Sequence, residues 1–204
     1  MIVNQNNISQ LAWDKMHNLI PAIVQDENTG QLLMQGYMNP EALAQTLDSQ
    51  LATFYSRSKQ RLWCKGETSG NHLKVSQIIA DCDNDSLLLK ASPQGPACHT
   101  GAPTCWFEDT PAPLGFLAEL ENLLASRKQA SADSSYTASL YQKGIKRISQ
   151  KVGEEGVEVA LAATSGDKEE LLNESADLVY HLLVLLQANE LELSQVIEVL
   201  KARQ

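Results

Sequence analysis

The hydrophobic pattern changes character halfway along the chain. Before Leu114, short apolar runs alternate with polar, glycine-containing turns, which is typical of β-strands joined by tight connections. The predicted strands are residues 19–25, 31–37, 52–56, 61–65 and 73–79. A helix is predicted after residue 38, because Asn39 is a favourable N-cap, Pro40 suits the first helical position and Leu43 and Leu47 lie one turn apart. The first half therefore predicts an α+β fold with a mostly antiparallel sheet.

From Leu114 to Gln204 the pattern is helical and contains no proline. Gly166 supplies a helix stop, and Asp167 supplies the next N-cap, with Glu170 three residues later as its capping-box partner. Such a short connection folds two helices into an antiparallel hairpin. The second half therefore predicts an all-α antiparallel helical bundle.

Composition indicates two domains. All seven Pro, all four Cys and all three Trp of the 204 residues precede Leu114. The segment Glu108–Gly115 contains Pro111 and Pro113, which stiffen the chain and exclude a helix. We therefore expect one domain over residues 1–113 and a second over residues 114–204.

The net charge of −9 limits the possible partners. No basic stripe is large enough for non-specific nucleic-acid binding, so an anionic substrate needs local cations and bound metal. No apolar run reaches the ~20 residues that span a bilayer, and the N-terminus lacks an export signal, so we expect a cytoplasmic protein. In that reducing compartment the four Cys are expected as metal ligands, catalytic groups or buried thiols.

Five carboxylates fall on the predicted helical hairpin. At about 100° per residue, Glu154, Glu155 and Glu158 share one face of the first helix, and Glu174 and Asp177 share one face of the second. Folding the chain back turns all five toward one point. Acidic runs are usually solvated helix faces, but here two of the acids interrupt an otherwise apolar helix. Like charges packed there need a cation, and carboxylate oxygens suit Mg²⁺.

The pattern E-E-x-x-E followed by E-x-x-D resembles the all-α nucleoside triphosphate pyrophosphohydrolases. Its context, residues 141–155, is similar to the phosphoribosyl-ATP pyrophosphohydrolase branch. The resemblance implies cleavage between the α and β phosphates with Mg²⁺ held by these acids. Glu155 is then a catalytic candidate and Lys151 a phosphate partner, while the identity of the base stays open. His181 shares the face of the second helix that carries Glu174 and Asp177, and it is expected as a packing residue and not as a ligand.

The chemistry of the first half begins with Asp81, Cys82, Asp83 and Asp85. An extended backbone would place the three aspartates on one face and the cysteine on the other, so we expect two different sites. Three aspartates on one face suggest a hard cation. A calcium loop is disfavoured, because Ser86 stands where such loops have glycine.

Cys98 and Cys105 add two soft ligands seven positions apart, a moderate zinc signal that Cys82 strengthens. A closed structural site would need a fourth ligand, whereas three ligands plus water is the catalytic arrangement. Three thiolates make zinc a poorer Lewis acid, so a nearby base would help. His99 is the candidate for that base, with an outer-sphere role as the alternative.

The run of residues 56–71, then D-C-D-x-D, then C-H-T-G and a final Cys, resembles phosphoribosyl-AMP cyclohydrolase. The resemblance implies that Asp81, Asp83 and Asp85 bind Mg²⁺ and that the three cysteines bind Zn²⁺. It also implies that the Cys82 thiolate comes from the other subunit of a dimer. The sequence departs from the family pattern at residues 103–106, where Pro-Thr-Cys-Trp replaces the expected Arg-Ser-Cys-Phe.

The two resemblances cover nearly the whole chain and describe consecutive reactions of bifunctional histidine-biosynthesis enzymes. The helical domain would convert phosphoribosyl-ATP to phosphoribosyl-AMP and pyrophosphate, and the first domain would then open the adenine ring at N1–C6. A homodimer is expected. The candidate phosphate-binding cations are Arg57, Lys65, Lys143 and Arg147. The alternatives are a house-cleaning nucleotide pyrophosphatase with an appended zinc domain, and a structural zinc module that binds proteins.

Overall fold

The computed structural model describes residues 1–106, 114–131 and 135–204. Its contacts divide the chain into two compact units, Met1–Gly115 and Phe116–Gln204. The predicted boundary segment Glu108–Gly115 falls mostly on residues 107–113, which lie outside the described residues. Within the described ranges, no helix combines the length and the apolar character that a membrane span requires.

The N-terminal unit contains two sheets and one covering helix. The larger sheet has the order β2 (Leu32–Met38), β1 (Ile20–Asp26), β6 (Leu87–Pro93) and β5 (Leu73–Ala80). Its β1–β2 and β5–β6 pairs are antiparallel and its central β1–β6 pair is parallel. The smaller sheet pairs β3 (Thr53–Ser56) with β4 (Arg61–Cys64) in antiparallel fashion. The prediction of an α+β fold with a mostly antiparallel sheet is therefore confirmed.

The core of this unit lies under the central strands. In β1, Ile20, Ala22 and Val24 are buried and alternate with partly exposed residues, and β6 alternates in the same way. Strand β6 is not among the predicted strands, because its three opening leucines hide the alternation of apolar and polar residues that identifies a strand. Helix α1 (Pro40–Ser49) begins as expected, since the side chain of Asn39 accepts a 2.8 Å hydrogen bond from the amide of Ala42.

The C-terminal unit is helical throughout its described part. It comprises α2 (Gly115–Ser126), α3 (Tyr136–Lys143), α4 (Ile145–Ser165), α5 (Lys168–Ala188) and α6 (Leu193–Lys201). Gly166 ends α4 with φ 77°, and the side chain of Asp167 accepts from the amides of Glu169 and Glu170 to begin α5. The predicted hairpin is confirmed, and Leu183 and Val184 of α5 belong to the core of the unit.

Several large apolar side chains on α4 and α5 are exposed within one chain. Leu161 is 63% exposed and Leu172 is 72% exposed. The others are Ile145 at the start of α4, and Val157, Val179 and Leu182. We call the five residues Val157, Leu161, Leu172, Val179 and Leu182 the α4–α5 apolar face. Helix α5 is therefore buried on the side of its own core but leaves apolar surface uncovered elsewhere.

Candidate active sites

The glutamate cluster lies on the α4–α5 hairpin and is formed by Glu155, Glu158 and Glu174. These residues bring one carboxylate oxygen each to within 4.8 Å of one another. Two of them lie on α4 at a spacing of three residues, and the third comes from α5 because the hairpin folds it back. Glu155 is only 2% exposed, which is unusual for an ionisable residue.

Lys151 supplies the positive charge closest to this cluster. Its Nζ lies 2.5 Å from Oε1 of Glu155 and 3.2 Å from Oε2 of Glu154. The hydrogen bond from Lys151 lowers the pKa of Glu155, and the same contact raises the pKa of Lys151 to about 12. The pKa of Glu158 is raised by its hydrogen bond with Glu155, and burial raises the pKa of Glu174. Among the described residues, Glu158 and Glu174 form no ion pair of their own, so the single lysine leaves negative charge in excess.

Three of the five predicted acids converge in this structure, and the expectation that all five bind one ion stays a prediction. Oε1 of Glu154 accepts hydrogen bonds from Arg147 at 3.2 Å and from Gln150 at 2.8 Å and is therefore not among the converging oxygens. Its Oε2 stays beside Lys151. Asp177 is exposed and does not join the group of oxygens within 4.8 Å. Of the predicted cations, Arg147 is thus bound to an acid, and Lys143 is exposed in the last turn of α3.

His181 packs next to the cluster and is buried. Its Nδ1 donates a 2.8 Å hydrogen bond to the carbonyl of Asp177, and its Nε2 lies 3.1 Å from the hydroxyl of Tyr136. Nδ1 is also 3.5 Å from Oε1 of Glu155. A packing role agrees with these contacts, and the helical spacing of His181 from Glu174 and Asp177 already places it on the same face as those acids. The contact with Tyr136 is not predictable from spacing, because Tyr136 lies on another helix.

The aspartate cluster, formed by Asp81, Asp83 and Asp85, lies in the turn between β5 and β6. The three residues bring carboxylate oxygens to within 4.8 Å of one another. The expectation of an extended backbone is wrong, since residues 82–85 form turns and bends and Asn84 has φ 61°. Oδ1 of Asp81 accepts from the amides of Asp85 at 3.0 Å and Ser86 at 3.2 Å, and these bonds close the turn. The turn, and not strand alternation, gathers the carboxylates.

Lys15 is a residue of this cluster that the sequence analysis did not find. Its Nζ lies 2.6 Å from Oδ2 of Asp83 and also contacts Oδ2 of Asp85. The hydrogen bond from Lys15 holds the pKa of Asp83 below its ordinary value, and the contacts to both aspartates raise the pKa of Lys15. Lys15 lies more than sixty residues before the cluster in sequence, so no local spacing could reveal the contact.

Cys98 and Cys105 come together in the loop that follows β6. Backbone hydrogen bonds from Cys98 to Ala102 and from Ala97 to Pro103 close the loop, and the amide of Cys105 is bonded to Leu33 of β2. A hydrogen bond from Thr100 at 3.3 Å lowers the pKa of Cys98. Desolvation raises the pKa of Cys105, and the neighbouring Cys98 adds to this effect. Cys82 is exposed in the β5–β6 turn and does not line the cavity that contains the other two thiols.

A cavity of about 440 Å³ opens beside these thiols. His99 and Lys65 also line it, and Nδ1 of His99 lies 3.6 Å from the sulfur of Cys98. Lys65 is only 7% exposed and donates a 3.0 Å hydrogen bond to the carbonyl of Asn71. A glycine is needed at position 66, next to Lys65 in the cavity lining. Gly66 has φ 89°, and a Cβ there would lie 2.6 Å from the backbone of Asn71. The cavity therefore combines thiols, an imidazole and a largely buried ammonium group.

Arg57 lines a second cavity, of about 620 Å³, which shares Met34 and Trp63 with the first. Its guanidinium carbon lies 4.0 Å from the centre of the Tyr37 ring, an arrangement typical of a cation–π contact. The hydroxyl of Thr104, in the segment that departs from the family pattern, donates a 2.6 Å hydrogen bond to the carbonyl of Leu32. That segment thus fixes the loop carrying Cys105 against β2.

Comparisons with known proteins cover both units. The family model Phosphoribosyl-AMP cyclohydrolase matches residues 34–107, and the family model Phosphoribosyl-ATP pyrophosphohydrolase matches residues 117–204. Three curated relatives carry the name Histidine biosynthesis bifunctional protein HisIE. The relative from Vibrio cholerae is 62% identical over 196 residues, covering 95% of this chain and 93% of its own. The relative from Photobacterium profundum is 59% identical over 202 residues, with coverage of 96% and 97%.

The third relative, from Escherichia coli O157:H7, is 59% identical over 194 residues, with 95% of each chain covered. The two family models follow one another along the chain in the order of the two structural units. The chain therefore belongs to the family of bifunctional histidine-biosynthesis hydrolases that join a phosphoribosyl-AMP cyclohydrolase to a phosphoribosyl-ATP pyrophosphohydrolase.

Proposed function

We propose that the glutamate cluster releases pyrophosphate from phosphoribosyl-ATP and that the cavity beside Cys98 and Cys105 opens the adenine ring of phosphoribosyl-AMP. The observation that supports this assignment best is the glutamate cluster itself. It places three carboxylates within 4.8 Å, raises the pKa of two of them and offers one lysine as partner. Such a site has the charge and the ligand atoms to bind a divalent cation and, through it, a polyphosphate.

Mg²⁺ fits the glutamate cluster, because hard oxygen ligands converge there and negative charge is in excess. When bound, Mg²⁺ would neutralise the carboxylates and polarise the phosphate oxygens. Glu155, Glu158 and Glu174 would hold it, and Glu154 and Asp177 would join them by side-chain rotation. Lys151 already fixes the orientation of Glu155 and would hold a substrate phosphate from the same position. Lys143 and Arg147 are proposed to bind the more distant phosphate groups.

Zn²⁺ fits the thiol site, because Cys98 and Cys105 are adjacent and free and because the pKa of Cys98 is lowered. When bound, Zn²⁺ would supply Lewis-acid activation at the purine ring. His99 would accept and return a proton beside Cys98, and Lys65 and Arg57 would bind the anionic groups of the substrate. Free thiols of this kind require a reducing compartment, so we propose the cytoplasm.

We also propose a homodimer in which Cys82 completes the zinc site of the partner. Two separate observations support it. Cys82 is exposed on a different turn from the other two thiols, and the α4–α5 apolar face is uncovered in one chain. Burying such a face against a second copy would stabilise the pair by roughly 25 cal/mol for each Å² removed from water.

Mixing two inactive variants tests the shared site. Cys82→Ser and Cys98→Ser chains should each lose ring opening as homodimers. After the two are unfolded together and refolded, heterodimers should regain one complete zinc site, giving about a quarter of wild-type activity for random pairing. A mixture that remains inactive, while a wild-type chain treated in the same way recovers, would show that all three thiols come from one chain.

Product analysis tests the proposed function as a whole. The full-length chain is incubated with phosphoribosyl-ATP, Mg²⁺ and Zn²⁺, and the products are separated by mass. Pyrophosphate together with the hydrated, ring-opened monophosphate is the expected result. Pyrophosphate with intact phosphoribosyl-AMP would reject the assignment of the thiol cavity. Turnover of deoxynucleoside triphosphates but not of phosphoribosyl-ATP would instead favour a general nucleotide pyrophosphatase.

A further inference from the structure

Lys15 already acts as a cation in the aspartate cluster. Its ammonium group contacts Oδ2 of both Asp83 and Asp85, at 2.6 Å in the first case. The third member, Asp81, commits Oδ1 to the amides that close the turn. Lys15 therefore covers two of the three carboxylates that a divalent ion at this cluster would need.

The backbone beneath Lys15 is fixed to the same turn. The amide of Ala12 donates a 2.9 Å hydrogen bond to the carbonyl of Asn84, which lies between the two contacted aspartates. Leu11 and Trp13 are buried, and Nε1 of Trp13 donates to the carbonyl of Ile8 at 2.8 Å. The segment is thus held in place, while the Lys15 side chain is about half exposed at its end. Only a rotation of that side chain is needed to uncover the carboxylates.

We propose that Lys15 is a resident counter-ion of the aspartate cluster, which a divalent metal ion must displace in order to bind. In the absence of metal, the ammonium group holds Asp83 and Asp85 together against their mutual repulsion. On metal binding, the ammonium group leaves for solvent while its backbone stays attached to the turn. Lys15 is thereby a positioning residue that also lowers the metal affinity of the cluster. The inference rests on the proposal, implied by the resemblance to phosphoribosyl-AMP cyclohydrolase, that Asp81, Asp83 and Asp85 bind Mg²⁺.

Amine labelling of the full-length, zinc-loaded chain tests the displacement directly. A lysine-reactive reagent is applied with and without saturating Mg²⁺, and the extent of modification at each lysine is read by mass spectrometry. Lys15 should become severalfold more reactive when Mg²⁺ is added. Exposed Lys74, on β5, is the reference, and its reactivity should not change. Unchanged or decreased labelling of Lys15 would overturn the proposal, since a metal that binds elsewhere or over the lysine cannot release it.

Metal affinity supplies a second test that does not depend on catalysis. In a full-length Glu158→Gln/Glu174→Gln background, which disables the glutamate cluster, Mn²⁺ binding to the zinc-loaded chain is followed by the electron paramagnetic resonance of free Mn²⁺. Because the ammonium group no longer competes for the aspartates, Lys15→Met should bind Mn²⁺ about three to thirty times more tightly than its parent, and Lys74→Met should bind it with unchanged affinity. Equal or weaker binding by Lys15→Met would reject the displacement.

A further variant separates the failure of this inference from the failure of the metal site. Asp83→Asn in the same background should weaken Mn²⁺ binding. If Asp83→Asn leaves binding unchanged, the aspartate cluster is not a metal site and the proposed function is wrong at this point. If Asp83→Asn weakens binding but Lys15→Met has no effect, the site stands and only the counter-ion role of Lys15 is refuted.

Discussion

The glutamate cluster and the aspartate cluster have the same ingredients, three carboxylates and one lysine, but they are built differently. The aspartates come from five consecutive positions, and backbone amides within one turn arrange them. The glutamates come from two long helices, and the turn at Gly166 brings them together. The first cluster therefore depends on local geometry, while the second depends on the packing of a whole helical hairpin.

The two clusters also differ in how well their charge is balanced. Lys15 contacts two of three aspartates at an exposed site, and the pKa of Asp83 is lowered. Lys151 contacts only Glu155 within the glutamate cluster, and the pKa of Glu158 and Glu174 is raised. From these charges we expect that a metal ion would relieve repulsion in the helical unit, whereas in the N-terminal unit it would have to replace Lys15.

The largest effect is expected for Glu155→Gln. This change removes the buried charge that links Lys151 to the cluster, and the loss of such electrostatic stabilisation should slow pyrophosphate release at least about a hundredfold. Glu154→Gln is the control on the same helix. Because Glu154 is hydrogen-bonded to Arg147 and Gln150, this variant should lose far less activity than Glu155→Gln. Steady-state pyrophosphate release measures both. Equal losses would show that Glu154 binds the metal as directly as Glu155 and not only after a side-chain rotation.

A somewhat smaller effect is expected on stability when Mg²⁺ is added. All three Trp precede Leu114, so their fluorescence reports on the N-terminal unit, while far-UV circular dichroism reports mainly on the helices. At a hundredfold excess over Kd, Mg²⁺ should stabilise the helical unit by about 2.7 kcal/mol. Glu158→Gln should abolish that gain and Asp83→Asn should preserve it. If Mg²⁺ stabilised only the unit reported by fluorescence, the aspartate cluster and not the glutamate cluster would be the stronger metal site.

Without metal, the helical unit should become more stable as the pH falls from 7 toward 4.5. Glu158 and Glu174 have raised pKa values, so the folded state binds protons more tightly than the unfolded state in this range. Glu155, whose pKa is lowered in the folded state, opposes this trend only as the pH falls below its ordinary pKa of 4.5, where its contribution to stability is lost. Thermal unfolding at several pH values should show the rise in wild type and a flatter curve in Glu158→Gln. Saturating Mg²⁺ should reverse the slope, because protons then compete with the metal.

The smallest effects are expected at the two helix N-caps, one in each unit. Asn39→Ala and Asp167→Ala each remove a side-chain acceptor from backbone amides and should cost about 1 kcal/mol. Asn39→Ala should lower the fluorescence transition, and Asp167→Ala the dichroism transition. If either variant destabilised both transitions equally, the two units would not unfold independently.

The sequence predicts those features that depend on spacing along one element. The N-caps at Asn39 and Asp167, the turn at Gly166 and the pairing of Glu155 with Glu158 all follow from local rules and are found in the structure. The contact between Lys15 and the aspartates is not predictable in this way, because only the tertiary fold joins residues so far apart.

Backbone conformation explains the remaining differences between prediction and structure. The alternation of Asp81, Cys82 and Asp83 would suit an extended strand, but Oδ1 of Asp81 accepts hydrogen bonds from two backbone amides, and these bonds favour a turn. Glu154 shares a helix face with Glu155, yet a single rotation of its side chain takes it to Arg147. The sequence specifies which acids are near one another, and side-chain partners decide which of them converge.

The most direct test of separate active sites uses two full-length variants and both substrates. Glu155→Gln and Cys98→Ser chains are each given phosphoribosyl-ATP and, in a second reaction, phosphoribosyl-AMP, and the products are separated by mass. Glu155→Gln should release no pyrophosphate but still open the ring of phosphoribosyl-AMP. Cys98→Ser should release pyrophosphate and leave phosphoribosyl-AMP intact. Loss of both activities in either variant would contradict the assignment of one reaction to each unit.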